Sequence, residues 1–188
     1  MESSVLPITA IVFVILINQS YTVATQPIND TQFIKTTCQT TPYPDLCLSS
    51  LSPDASAIRC SHRLMTIAAL AVALTHTHDA SSTVTSLAKS NAITTREGYA
   101  LSDCIEEFGD SVEELKMAVE ALKGNDKTRL DTEDIQTWIS AALTDDNTCM
   151  DGFAGDAMNG SVKESMKAMV VDVAQLTSIA LSLVRQLK

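Results

Sequence analysis

The side chains whose types and spacing could do chemistry are five cysteines, at positions 38, 47, 60, 104 and 149, a set of carboxylates at Glu106, Asp110 and Glu113, and three histidines. The carboxylates recur at intervals of four and three, so on a helix they share one face and form an acidic stripe suited to gripping cationic groups. The histidines do not assemble into a catalytic set. His76 and His78 stand two residues apart, which on a helix turns them away from each other, and neither a His-x-x-x-His pair nor a glycine-rich phosphate loop accompanies them. Asp145, Asp146, Asn147, Asp151 and Asp156 are dense enough to suggest calcium, but Cys149 and Met150 stand where a calcium loop needs a ligand and a glycine. No catalytic residue, cofactor or metal is expected. What is left to this chain is stapling through sulfur and recognition through charge.

Stapling needs an oxidising compartment, and the N-terminus supplies the address. Val5 to Ile17 is almost wholly apolar, long enough for a signal-peptide core but short of the roughly 20 residues of a spanning helix. Residues 1–24 therefore read as a secretory signal peptide cleaved near Ala24, although Met1 to Ser4 carries Glu2 and no Lys or Arg. Residues 25–188 form one domain, with no membrane association expected after cleavage. The sequons at Asn29 and Asn159 are glycosylation candidates consistent with that route. The formal charge of -10 disfavours nucleic acid and anionic lipid, and a basic or neutral protein partner is its natural complement.

The elements that must position these groups are helices. Only 4% of the residues are aromatic and six are glycine, while Ala, Leu, Ser and Thr dominate, a composition suited to long packed helices. Residues 31–51 hold two cysteines around Pro42 and Pro44, which stop any helix and force a turn, so a short helical hairpin is expected there. The bundle, residues 52–188, is expected to open at Ser52-Pro53-Asp54 with a helix to about Lys89, its inward stripe Cys60, Leu64, Ile67, Ala71 and Leu74. Leu101, Ile105, Phe108, Val112, Leu115, Val119 and Leu122 repeat at four and three, between a capping box at Thr94 and Glu97 and a stop at Gly124. A further helix opens at Asp131 with Ile135, Trp138, Ile139 and Leu143 inward. The last starts at a second capping box, Ser161 and Glu164, and continues its seam from Val162 to Leu187. The fold class is all-α: an up-down-up-down antiparallel four-helix bundle with an N-terminal helical hairpin and two disulfides.

Two bridges among five cysteines allow fifteen arrangements, and spacing alone does not choose one. Position narrows the field. Cys60 falls on an expected buried stripe, where a thiol behaves as a small hydrophobe. A Cys104 to Cys149 bridge would staple two neighbouring helices, and a Cys38 to Cys47 bridge would pin the hairpin.

The run from Asp134 to Phe153 (DIQTWISAALTDDNTCMDGF), with Asp103-Cys104 and Cys38-x-x-Thr41-Pro42-Tyr43-Pro44-Asp45-Leu46-Cys47, resembles the plant invertase and pectin methylesterase inhibitor family over about Thr31 to Lys188. The resemblance implies a four-helix bundle with a helical hairpin, bridged between Cys38 and Cys47 and between Cys104 and Cys149, leaving Cys60 as the free thiol. It also implies a secreted inhibitor, not an enzyme, that covers the active-site cleft of a cell-wall carbohydrate enzyme. Invertase-directed relatives carry Pro-Lys-Phe in the loop that reads here Gly124-Asn125-Asp126-Lys127-Thr128-Arg129, with neither the proline nor the phenylalanine. The expected partner is therefore pectin methylesterase, bound 1:1 in the apoplast, with acid invertase as the alternative and a bundle with an adhesive or small-ligand role as a third reading. A pro-region of such an esterase is disfavoured because no catalytic domain follows Lys188.

By the same resemblance, Glu106, Asp110 and Glu113 are candidate partner-binding residues, and so is Thr148 beside Cys149. An ordinary solvated acidic face is the alternative for the three acids, and a capping hydroxyl for Thr148. Lys127 reads as a solvated loop lysine.

Overall fold

In the computed structural model, residues 29–124, 132–155, 158 and 160–187 are described. The apolar leader, Lys127, Asp131, Asp156 and Asn159 lie outside them.

The hairpin is α1 (Asp30–Cys38) and α2 (Pro44–Leu51), joined by the Cys38–Cys47 disulfide. Asn29 caps α1 by accepting the Gln32 N–H at 2.8 Å, and the hydroxyls of Thr40 and Thr41 donate to the carbonyls of Thr37 and Cys38 as the chain turns. Ile34, Cys38, Cys47 and Leu51 are buried and share one cluster with Met65, Leu70, Leu181 and Val184. The hairpin is thus docked on the bundle and not a loose arm.

The first bundle helix does not begin at Ser52. Ser52–Asp54 forms a 3₁₀ turn and Ala55–Ile58 a single helical turn, α3, ended by Arg59 and Cys60 at φ 47° and 53°. A left-handed pair of non-glycine residues reverses the chain there, and α4 (His62–Ala88) starts afresh with Ser61 as cap, its side chain accepting the Leu64 N–H. Cys60 is consequently exposed in the turn, with its thiol 3.3 Å from Asp30 Oδ1, and not on a buried stripe. Local desolvation and that bond raise the thiol above its ordinary pKa. The inward stripe of α4 is also offset by about one residue from the expected one. Met65, Thr66, Ala69, Leu70, Ala73, Thr77, Ala80 and Val84 are buried, while Leu64, Ile67 and Leu74 are half-buried and Ala71 is exposed.

The remaining bundle helices are α5 (Thr95–Lys123), α6 (Thr132–Thr148) and α7 (Ser161–Val184), with a 3₁₀ turn at Cys149–Phe153. The capping box of α5 forms in both directions, Glu97 N–H to Thr94 Oγ1 and Thr94 N–H to Glu97 Oε2, and these bonds hold the Glu97 carboxyl below its usual range. Six of its seven seam residues are buried and Ile105 is half-buried. The second box does not form. Gly160 is the cap of α7, which leaves Ser161 at the first helical position, where its hydroxyl cannot serve the third N–H.

Each helix packs on the two that flank it around a square, α4 on α5 and α7, and α6 on α5 and α7. Arg63 near the start of α4 donates to the carbonyls of Leu122 and Gly124 at the end of α5, satisfying groups the helix itself cannot and placing a cation at the negative end of its dipole. Cys104 in the first half of α5 is bonded to Cys149 just beyond the end of α6, so these two helices also run antiparallel. Gly152 follows in that turn because an added Cβ would come 3.1 Å from the Cβ of Ala100.

The core is divided. One cluster joins the hairpin to Leu115, Ile135, Ile139 and the C-terminal half of α7, while the other gathers Val84, Leu101, Phe108, Phe153 and Met166. Near their junction lie four fully buried polar side chains, one per bundle helix: Thr77, Ser111, Asp146 and Thr177.

Two stability outcomes follow from this frame. Replacing Cys104 and Cys149 by alanine should cost about 4 kcal/mol in urea unfolding, and replacing Cys38 and Cys47 less, about 2.5 kcal/mol, because the first bridge closes a longer loop. Arg59→Gly should instead raise stability by about 0.5–1 kcal/mol, the relief of left-handed strain exceeding the added unfolded-state entropy.

Candidate functional site

Helix α5 shows solvent a continuous stripe. Tyr99, Asp103, Glu106, Asp110, Glu113 and Met117 recur at intervals of four and three, and all six are exposed. The same periodicity that buries Leu101, Phe108, Val112 and Leu115 turns these outward. Tyr99 at 71% exposure and Met117 at 41% are among the few large apolar side chains in solvent, and they bracket the four carboxylates. A stripe with an aromatic and a methionine at its ends and acids between has the composition of a protein-binding surface for a basic partner.

The candidate acids differ in their surroundings. Glu113 is already engaged, its Oε1 accepting from Lys116 Nζ at 2.6 Å in an exposed i,i+3 pair. Asp110 adds its charge to those acting on Glu107, Glu114 and Asp145, and Glu106 acts on Glu107. Thr148 ends α6 half-buried, with its hydroxyl donating to the carbonyl of Thr144 at 2.9 Å. It therefore serves its own helix.

A second row was not visible in the sequence. Glu107 and Glu114, seven residues apart on α5, act electrostatically with Asp145 on α6. Loss of solvent first, then the charges of Asp145, Asp110, Glu106 and Asp103, push the Glu107 carboxyl up. Loss of solvent and then Asp145 raise Glu114 to about 7, and Asp145 is raised chiefly by its own desolvation. Among the described residues Glu114 Oε2 is buried and no hydrogen-bond donor reaches it. Glu114 and Asp145 bond to one another, which two carboxyl groups do only by sharing a proton. The sequence signal for this row was the pair of acids at Asp145 and Asp146, but which face of α5 they meet depends on how the two helices pack.

Two of the three histidines are taken up structurally. The His62 ring meets Phe33 edge-on, with centroids 4.9 Å apart, and His76 Nδ1 lies 2.7 Å from Asp172 Oδ2, linking α4 to α7 at the surface. Among the described residues no group of three or more His, Cys, Asp or Glu is placed to hold a metal ion. Helix α7 is long and apolar enough by composition to cross a membrane, but half of its most apolar window is buried inside the bundle.

Taken together, the chain is a disulfide-stapled all-helical bundle with an acidic, apolar-ended outer face. The chain belongs to the plant invertase/pectin methylesterase inhibitor family, whose profile matches residues 32–183. It is similar to a "21 kDa protein" of Daucus carota, 43% identical over 159 residues that cover 81% of this chain and 82% of the relative. It is also similar to Pectinesterase inhibitor 10 of Arabidopsis thaliana, 40% identical over 157 residues, covering 81% of this chain and 50% of that protein. In fold it resembles a crystal structure of a mutant form of a pectin methylesterase inhibitor from Arabidopsis, with a TM-score of 0.63 and 21% identity over 82% of this chain and 97% of that one.

The Glu114–Asp145 contact yields one expected outcome. A carboxyl whose folded pKa is raised stabilises the fold below its unfolded pKa near 4 and loses that contribution as pH rises through about 7. Glu114→Gln should therefore leave stability unchanged at pH 4 and raise it at pH 8 by about 1 kcal/mol, a figure reduced because the site is partly open to water. Chemical denaturation at the two pH values is the measurement.

Proposed function

We propose that this chain is a proteinaceous inhibitor of pectin methylesterase, secreted to the cell wall, that binds the enzyme 1:1 and covers its active-site cleft. The observation that carries the reading is the α5 stripe, in a member of a family whose relatives include pectinesterase inhibitors. Tyr99 and Met117 supply apolar anchors that are already ordered on a helix. Asp103, Glu106 and Asp110 supply charge without an ion pair to a neighbouring lysine or arginine in the described structure, unlike Glu113. Such carboxylates gain more from a basic partner than paired ones, because no existing bond has to be broken first. Thr148 at the end of α6 is a further candidate contact, half-buried and with its hydroxyl bonded back to the Thr144 carbonyl.

Secretion rests on residues 1–24 and on the disulfides, which persist in an oxidising compartment. Asn29 is the sequon asparagine within the described residues. Its Oδ1 caps α1 and its Nδ2 is not needed for the cap, so a glycan there is compatible with the hairpin.

The decisive test is titration of the purified mature protein against a plant pectin methylesterase, following methanol release, and against an acid invertase, following sucrose hydrolysis. Stoichiometric loss of esterase activity with invertase unaffected is expected; inhibition of invertase alone, or of neither enzyme, sinks the proposal. A Glu106/Asp110/Glu113→Ala variant should bind about tenfold or more weakly at low salt, with the gap to wild type narrowing as salt rises. Glu113→Ala alone should change the affinity little.

A further inference from the structure

The binding face leaves Asp146 unused, and it is the most unusual side chain in the fold. It is fully buried, and so are the two hydroxyls that reach it: Ser111 Oγ of α5 at 2.8 Å from Oδ1, and Thr177 Oγ1 of α7 at 3.3 Å from Oδ2. One carboxyl thus joins three helices. Among the described residues the charge that acts on it is acidic, Asp145 on its own helix, and Glu114 from α5 responds to Asp146 in turn. From α7 it receives the Thr177 hydroxyl. The Thr77 hydroxyl of α4 donates to the Ala73 carbonyl, and the titratable pair from α4 and α7, His76 with Asp172, is half-exposed.

We infer that Asp146 is a proton-operated latch: as a neutral carboxyl bonded to Ser111 and Thr177 it holds α5, α6 and α7 together, and as it loses its proton at higher pH the three helices are released to open locally. A neutral acid can sit in this place because Oδ1 accepts from the Ser111 hydroxyl while a proton on Oδ2 can turn to the Thr177 oxygen 3.3 Å away, reversing the bond that the ionised form accepts. An ionised one, with no cation beside it among the described residues, is a buried unpaired charge, among the most costly groups a core can hold. Burial drives its pKa up to about 7, outweighing the two hydroxyl bonds, which pull it down. The sign follows. In the unfolded chain Asp146 loses its proton near pH 4, while in the folded chain it keeps it, so stability is highest below about 4, falls between about 4 and 7 and then levels off. The protein is therefore firmest in acid and loosens toward neutrality. The loosening begins next to Asp145 and Glu114, so it would also disturb the acidic row of the outer face.

The test uses the mature protein alone, with no partner enzyme. The Asp146 side-chain carbon, followed by NMR in the isotope-labelled wild type, should titrate with a midpoint near 7; a midpoint below about 5 overturns the latch. The wild-type melting temperature should fall by several degrees between pH 4.5 and 8. In a Glu114→Gln background, which removes one neighbouring contribution, a fall should persist, and Asp146→Asn added to it should remove most of what remains, leaving the smaller share of Glu107 and Asp145. A slope that Asp146→Asn leaves undiminished, or that vanishes with Glu114→Gln alone, assigns the effect elsewhere. Hydrogen exchange, corrected for its intrinsic pH dependence, should show the amides of α6 around residue 146 losing protection first as pH rises.

Discussion

The fold is organised around a polar layer in an otherwise apolar bundle. Thr77, Ser111, Asp146 and Thr177 occupy core positions, one on each helix, where the two hydrophobic clusters meet. A purely apolar seam tolerates sliding, since one leucine can replace another at little cost. A buried carboxyl does not, because moving α6 by one turn would set it against side chains that offer no hydrogen bond, at a cost of roughly 1–3 kcal/mol or more. The Cys104–Cys149 bridge stands three residues further on, just beyond the end of α6, and fixes the same α5–α6 alignment covalently. Register is thus specified twice in one place, and the outer face depends on it, since Glu114 meets Asp145 only in that alignment.

How much of this could be seen in the sequence varies from helix to helix. The α5 helix was legible throughout: its seam alternates apolar and charged residues without ambiguity, and its cap and stop are side-chain and glycine signals that act locally. The α4 helix was not, because Leu64, Met65, Ile67, Leu70, Val72 and Leu74 place apolar groups on most of its faces. With no single apolar stripe, the choice fell to packing, and packing selected small residues, Ala69, Ala73 and Ala80, that let neighbouring helices approach. The start of α4 was misplaced for a related reason. Ser52-Pro53-Asp54 is a sound helix opening, but the helix it opens is one turn long, and the left-handed break at Arg59 and Cys60 carries no glycine to announce it. Cys60 moved from core to surface as a direct result.

The candidate site divides in the same way. The exposed acids of α5 follow from one helix's periodicity, and so do Tyr99 and Met117 at their ends, although these two were overlooked. Asp146 could have been read too, although it was weighed only as one of a run of acids: Ile139, Ala142, Asp146 and Cys149 stand at intervals of three, four and three, so a carboxyl occupies a seam position beside the bridging cysteine. Its partners were not, because Ser111 and Thr177 lie on other helices, at separations no periodicity reaches. Proton sharing between Glu114 and Asp145 belongs to the same category. It arises only when two separately ordinary acids are brought together by tertiary structure.

A surface that crowds carboxyls until they retain protons is unfavourable for the isolated protein. Repulsion among Glu107, Asp110, Glu114 and Asp145 destabilises the fold, and an alternating set of acids and lysines on α5 and α6 would avoid it. The opposite holds once a cation is docked. A guanidinium or ammonium placed over the row would turn mutual repulsion into attraction and bring the raised carboxyls Glu107, Glu114 and Asp145 back down. On the proposed function, a basic partner would remove the repulsion carried by the free protein, so part of the binding free energy would be stored in the unbound state. Such storage is safe only on a scaffold that will not relax to dissipate it. Two disulfides, the Arg63 clamp across the ends of α4 and α5, and the buried carboxyl layer keep the acids close together while they wait.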